Sequence, residues 1–186
     1  MNSRNKWNTK HKERLHDQME PVPNLRLKVM SANLNGGTVL DLACGLGGNS
    51  LFLARKNYDV QAVDISNVAI NYIQEQALIE KLKIHPMVCD LTKWNELNWQ
   101  NNSFDLVVIT YYLDRTLFPF VKRIIKKKGY FFMETYYQSP QNEIQRLSNQ
   151  YKLQPKELLA EFGDWNVLSF EENELEGRQT IFCQKP

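Results

Sequence analysis

Apolar residues in this chain fall into short runs of two kinds that alternate along the sequence. Thr38 to Ala43, Asp59 to Val63, Ile84 to Cys89 and Phe104 to Thr110 are compact apolar runs of strand length. The last, FDLVVIT, is the most apolar, as expected of a central strand covered on both faces. Between the runs lie stretches with helical spacing. Asn49 to Lys56 offers Leu51, Phe52, Leu53 and Ala54 to a sheet, and Ser66 can cap a helix running to about Lys81. Residues 116–127 fit a helix with Leu117, Phe120, Val121, Ile124 and Ile125 inward, and Gly129 to Thr135 is another strand. Pro23 to Leu34 reads as a helix ended by Asn35-Gly36-Gly37.

This alternation predicts an α/β fold, a doubly wound, mostly parallel sheet with right-handed crossovers. The last third departs from it. Leu153 to Phe162 looks helical, and Asn166–Glu171 and Arg178–Gln184 are strands flanking the charged turn Asn173–Gly177. That hairpin adds antiparallel pairing at one edge and brings the expected strands to seven. Residues 1–22 are polar and basic, with Trp7 and Leu15 as isolated apolar points. They are expected to form a basic arm, either a helix that docks late or a lid, ahead of a single domain over 23–186.

Composition narrows the classes. A chain of 186 residues with 42% hydrophobic and 24% charged content closes one core without staples. A net charge of +2 gives no strong pull toward nucleic acid. The basic clusters Arg4–Arg14 and Lys122–Lys128 read first as solvated faces. Cys44, Cys89 and Cys183 have no metal-ligand spacing and suit reduced thiols. Neither His11, His16 nor His85 has ligand spacing, so no metal site is expected. The polar start and the lack of any run of about 20 apolar residues predict a cytoplasmic protein away from membranes.

Ligands of open α/β sheets bind beyond the carboxyl ends of the strands. There the chain places Asp41-Leu42-Ala43-Cys44-Gly45-Leu46-Gly47-Gly48, then Asp64-Ile65-Ser66, then Asp90-Leu91, then Thr110-Tyr111-Tyr112. A dinucleotide turn would need a third glycine where Ser50 stands, and Asp41 would repel a phosphate. No GK[ST] follows the glycines, so a phosphate-cradling loop is absent as well. S-adenosylmethionine suits the pattern better, because it is cationic and carries no phosphate. Asp41 favours the cation, and Ala43, Gly45, Gly47 and Asn49 form the turn around it. Asp64, 19 residues beyond Gly45, accepts the ribose hydroxyls. Ile65 and Leu91 flank the ring, Asp90 accepts from the adenine amine, and Ser66 and Thr110 complete the set.

These segments, VLDLACGLGGNS, AVDIS, VCDL and FDLVVI, resemble the first four motifs of class I S-adenosylmethionine-dependent methyltransferases. KKKGYFFMETY is similar to the segment before strand five, although Lys128 stands where that family has a glycine and only Gly129 is kept. The resemblance covers about residues 25–186. LDLACGLGGNSLFLARKNYDVQAVDIS, with TYYLDRTLFP and METY, further resembles the small bacterial methyltransferases related to tellurite-resistance proteins. That resemblance implies a small acceptor, such as a chalcogen oxyanion or a thiol.

The acceptor should lie after the fourth strand. Arg115 is a candidate to hold an oxyanion, Tyr112 to line the pocket, and Asp114 to act as a base or to orient Arg115. Glu134 and Tyr136 form a second candidate wall, and Trp7, His11 and Arg14 a candidate lid. DNA amino-methyltransferases carry Pro-Pro-aromatic after strand four, which Tyr111-Tyr112-Leu113 does not provide, so nucleic acid is disfavoured as partner. A non-catalytic S-adenosylmethionine-binding or scaffold protein of the same fold is the alternative. Oligomeric state is not legible in the sequence.

Overall fold

The computed structural model describes residues 2–34, 36–141 and 147–186. Its seven strands make one mostly parallel sheet, and the chain divides into two compact units, Met1–Asn98 and Trp99–Pro186.

The first unit carries α1 (Ser3–His16), α2 (Leu25–Met30), β1 (Gly37–Leu42), α3 (Gly48–Arg55), β2 (Tyr58–Asp64), α4 (Asn67–Glu80) and β3 (Ile84–Val88). β2 pairs in parallel with β1 and with β3, and neither register is broken. Leu42 therefore lies beside Val63 and Asp64 beside Val88, so the three loops that follow leave the sheet at the same end. Val39, Leu40, Leu42, Val60, Ala62 and Val63 are fully buried, together with Leu53 of α3 and Ile73 of α4. Ser66 caps α4 as expected, its Oγ accepting from the Ala69 amide at 3.2 Å. His85 sits on β3, the outer strand of this unit, and pairs with Asp59 at 2.8 Å.

The second unit carries β4 (Phe104–Thr110), α5 (Leu117–Ile124), β5 (Ile125–Tyr136), α6 (Glu157–Phe162), β6 (Asn166–Asn173) and β7 (Arg178–Gln184). β4 and β5 are parallel, whereas β7 runs antiparallel to both β5 and β6, giving the reversed hairpin the sequence predicts. Phe162 of α6 packs among Phe118, Phe131 and Trp165, with ring centroids 4.6–5.7 Å apart.

Two elements differ from the sequence pattern. The helix expected over 23–34 shortens to Leu25–Met30, because only Leu27 finds a core, while Leu25 and Val29 stay exposed. The expected stop at Asn35 lies outside the described residues. The helix expected over 116–127 ends at Ile124, and β5 begins at once with Ile125 paired to Phe104. Pairing then resumes at Leu106 with Tyr130, and the extra residues form a bulge. Lys128 occupies this bulge at φ +63°, the conformation a glycine would take without strain. Gly129 has no such substitute: a Cβ there would sit 2.8 Å from Ile125 Cγ2 and 2.9 Å from the Lys126 carbonyl oxygen. Most of the basic arm is a helix, α1, one of the two forms the sequence allows, with Asn2 capping it through the Arg4 amide.

Candidate functional site

The first unit gathers most of the residues singled out for the cofactor. β1 ends at Leu42, and Ala43 and Gly45 both take left-handed backbone, φ +55° and +54°. Gly47, at φ +81°, caps α3. The two turn glycines do different things. A Cβ on Gly47 would fall 2.6 Å from Ile73 Cγ1, so its bareness lets α4 pack against the turn. Gly45 instead faces α1, with the His11 ring 3.5 Å from where its Cβ would stand.

Asp64 organises this turn. Its Oδ2 accepts from the Gly45 amide at 2.9 Å and its Oδ1 from the Ser66 amide at 2.8 Å. The carboxylate thus locks the loop after β1 to the loop after β2 before any ligand arrives. Each oxygen keeps further lone-pair capacity for a hydroxyl.

Asp41 lies one level lower. It is fully buried, its Oδ2 accepts from Ser50 Oγ at 2.6 Å, and its Oδ1 has no partner. Burial pushes its carboxyl up to about 7, against the pull of the Ser50 hydrogen bond, and the negative charge of Asp64 adds to the rise. Sequence reasoning set Asp41 against the cofactor's charge. The structure buries it beneath the turn, where it also ties β1 to α3. Asn49 is likewise tied inward, its Oδ1 accepting from the Asn24 amide at 2.8 Å.

Asp90 caps a 3-10 turn over Leu91–Glu96, its Oδ1 accepting from the amide and hydroxyl of Thr92 at 3.0 and 2.7 Å. Those bonds hold its carboxyl below the ordinary range, so it is an ionised acceptor. Ile65 is half-buried, and Leu91 and Ser66 are buried.

The second unit holds the acceptor candidates at the carboxyl ends of β4 and β5. Thr110, the last residue of β4, is half-buried beside Glu134 in the register. Tyr111 follows at φ +55° and donates its hydroxyl to Glu134 Oε1 at 2.8 Å. Glu134 is completely buried, and its Oε2 accepts from Thr180 Oγ1 at 2.8 Å. Arg178 completes the cluster, donating to the Tyr111 oxygen at 2.6 Å and reaching Glu134 Oε1 at 3.4 Å. Tyr136 lies 5.5 Å from the Tyr111 ring. Burial, with the hydrogen bond and charge of Glu134, pushes the Tyr111 phenol up to about 12. At neutral pH it is therefore a donor and no base.

Two of the acceptor candidates are engaged with neighbouring segments. Arg115 spends its guanidinium on Glu157, at 2.6 and 2.9 Å, and on the carbonyls of Lys152 and Gln150 at 3.0 and 3.4 Å. It fastens the segment before α6. Asp114 accepts from the Thr116 amide and hydroxyl at 3.0 and 2.7 Å, which makes it a turn-forming residue ahead of α5. Tyr112 is half-buried. Sequence reasoning missed Arg178 and Thr180, because both lie on a strand that reaches this end only through antiparallel return. Among the described residues, no cluster of His, Cys, Asp or Glu could hold a metal, and no helix is long and apolar enough to cross a membrane.

A parallel sheet with a glycine turn after β1, an acid ending β2 and a reversed final strand defines the Rossmann-like fold of class I methyltransferases. Within that class, the chain belongs to the family of the tellurite resistance protein TehB, whose model matches residues 9–181. It is 30% identical over 141 residues to a probable S-adenosyl-L-methionine-dependent methyltransferase TehB of Haemophilus influenzae, covering 73% of this chain and 48% of that protein. The chain thus spans about half the length of the curated relatives it matches. The crystal structure of TehB from Haemophilus influenzae superposes with a TM-score of 0.77 at 23% identity, over 88% of this chain and 62% of that one. A SAM-dependent methyltransferase from Aquifex aeolicus matches with a TM-score of 0.69 at 16% identity, over 96% and 98% of the two chains.

Proposed function

We propose that this chain transfers a methyl group from S-adenosylmethionine to a small, soft anionic acceptor, a chalcogen oxyanion or a thiol. The residues present fit that cofactor. Asp41, a carboxyl buried under the glycine turn with its Oδ1 unpartnered, would be drawn toward its anionic form by a cationic ligand, and Gly45 keeps the turn free of a side chain. Asp64 would hold the ribose, Asp90 the adenine amine, and Ile65 and Leu91 the ring faces. When bound, S-adenosylmethionine supplies a methyl group already activated by its sulfonium. The protein's own task is then to orient the nucleophile and exclude water.

One observation carries the choice of acceptor: the buried Glu134 carboxylate already accepts from Tyr111, Arg178 and Thr180. With that carboxylate buried and engaged, Tyr111 held protonated and Asp114 committed to Thr116, a nucleophile that arrives anionic and needs no general base fits best. Arg178, which also pairs with Glu176 at 2.7 Å, joins Arg115 as a guanidinium we assign to the anion. Tyr112 and Tyr136 would line its pocket. The family relationship supports the same class of acceptor, and three cysteines free of disulfides support work in a reducing cytoplasm.

The test is a methyl-transfer screen across tellurite, selenite, thiols and small amines, reading S-adenosylhomocysteine. Turnover with the chalcogen anions or thiols is expected. Turnover with amines alone would overturn the acceptor assignment. Cofactor binding without turnover on any acceptor would favour the non-catalytic alternative, and failure to bind S-adenosylmethionine would end the reading altogether.

A further inference from the structure

Helix α1 is unusual in how it is held. It has little apolar surface to bury, and its contacts with the rest of its unit are polar and set at helical spacing. Arg4 Nε donates to the Ile65 carbonyl at 3.2 Å. One turn on, Asn8 donates to Asn67 Oδ1 and accepts from Ser66 Oγ, both at 2.7 Å. One further turn on, His11 lies against Gly45. The three side chains share one helix face, and the backbone they meet is the two loops that Asp64 locks together.

His11 is the odd member of this row. It is 1% exposed, Trp7 stacks on it with centroids 5.8 Å apart, and its Nδ1 is buried without a hydrogen-bond partner. A buried ring nitrogen left unpaired has lost its hydrogen bonds to water without replacement. Nothing in apolar packing repays that cost, since a phenyl ring would fill the same space without it. An orphaned polar atom over the glycine turn is therefore an atom whose partner arrives from outside the chain.

We propose that His11 is a cofactor-binding residue, whose Nδ1 pairs with the bound S-adenosyl group and so latches α1 down over the glycine turn. The inference rests on the S-adenosylmethionine reading above. Burial lowers the basicity of His11, Asp64 opposes that, and Arg14 and Lys10 add to it. The ring is thus neutral near pH 7, and Nδ1 either donates or accepts according to its tautomer. Trp7 fixes the ring plane, while Arg4 and Asn8 set the register of the helix over the loops.

The experiment compares the wild-type chain with His11→Phe and His11→Gln by calorimetry with S-adenosylhomocysteine and by hydrogen exchange over residues 3–16. Wild type should bind, and the ligand should slow exchange across α1. His11→Phe should melt no lower than wild type without ligand, bind at least tenfold more weakly, and lose the ligand-induced protection of α1. His11→Gln, which keeps a polar end, should recover part of both. If His11→Phe binds as tightly as wild type and α1 is protected equally, His11 is only a packing residue and the proposal is overturned. If wild type binds neither S-adenosylhomocysteine nor S-adenosylmethionine, the cofactor reading fails first, an outcome distinct from the previous one.

Discussion

Ser50 donates its hydroxyl hydrogen to Asp41 at 2.6 Å and so supports a carboxyl group that has no exposure to solvent and whose other oxygen has no partner. The carboxyl is displaced upward to about 7, so the folded protein holds a proton on Asp41 that the unfolded chain gives up near pH 4. The stability from this group is fully present below about pH 4, declines as pH rises, and is gone above about pH 7. Its size is roughly 4 kcal/mol. Asp41→Asn keeps the shape and the acceptor for Ser50 without the charge. Its stability relative to wild type, from urea unfolding, should rise between about pH 4 and 7 and stay level above. Parallel curves for the two proteins across that window would show that Asp41 is ionised without cost.

Asp64 does two jobs at once, and substitutions should reveal both. Asp64→Ala removes the expected ribose acceptor and frees the Gly45 and Ser66 amides that its oxygens hold. Affinity for S-adenosylmethionine should fall by about 1–3 kcal/mol, roughly 5- to 150-fold. Asp64→Asn should be nearly as damaging, since one side of its amide would present N–H to N–H. Calorimetry decides: an asparagine variant with wild-type affinity would mean the backbone bridge is dispensable.

The Glu134 cluster should be a stability element. Glu134→Ala leaves Tyr111, Thr180 and the Arg178 guanidinium without their shared acceptor, a loss of about 3–5 kcal/mol by analogy with broken buried pairs. Thr180→Val removes one donor and should cost about 1 kcal/mol. Chemical denaturation measures both. Equal small losses would indicate that water replaces the missing carboxylate.

Lys128 holds a left-handed conformation in the bulge of β5. Lys128→Gly should relieve about 1 kcal/mol of that strain and raise the melting temperature by a few degrees, without altering cofactor affinity. A lower melting temperature would place the value of Lys128 in its side chain instead.

Much of the molecule was legible from local chemistry. The alternation of strand and helix, the Ser66 cap, the FDLVVIT strand and the final hairpin follow from periodicity and turn residues, which act over a few positions. The glycine turn with Asp64 after β2 was legible too, because its logic is spacing along the chain. Roles that depend on what lies opposite were not. Periodicity could not say that Ile125 begins a strand, since a buried isoleucine suits either element. Nor could it show that Arg115 would be taken by Glu157, 42 residues away, or that Arg178 would come within 2.6 Å of the Tyr111 oxygen, 67 residues back. The sequence by itself determined the elements and the ionic character of the cofactor turn. Only the tertiary structure decided which charges are already spent and which buried atoms, Asp41 Oδ1 and His11 Nδ1, still lack a partner. Hydrogen-bond saturation depends on neighbours in space, and no local pattern encodes them.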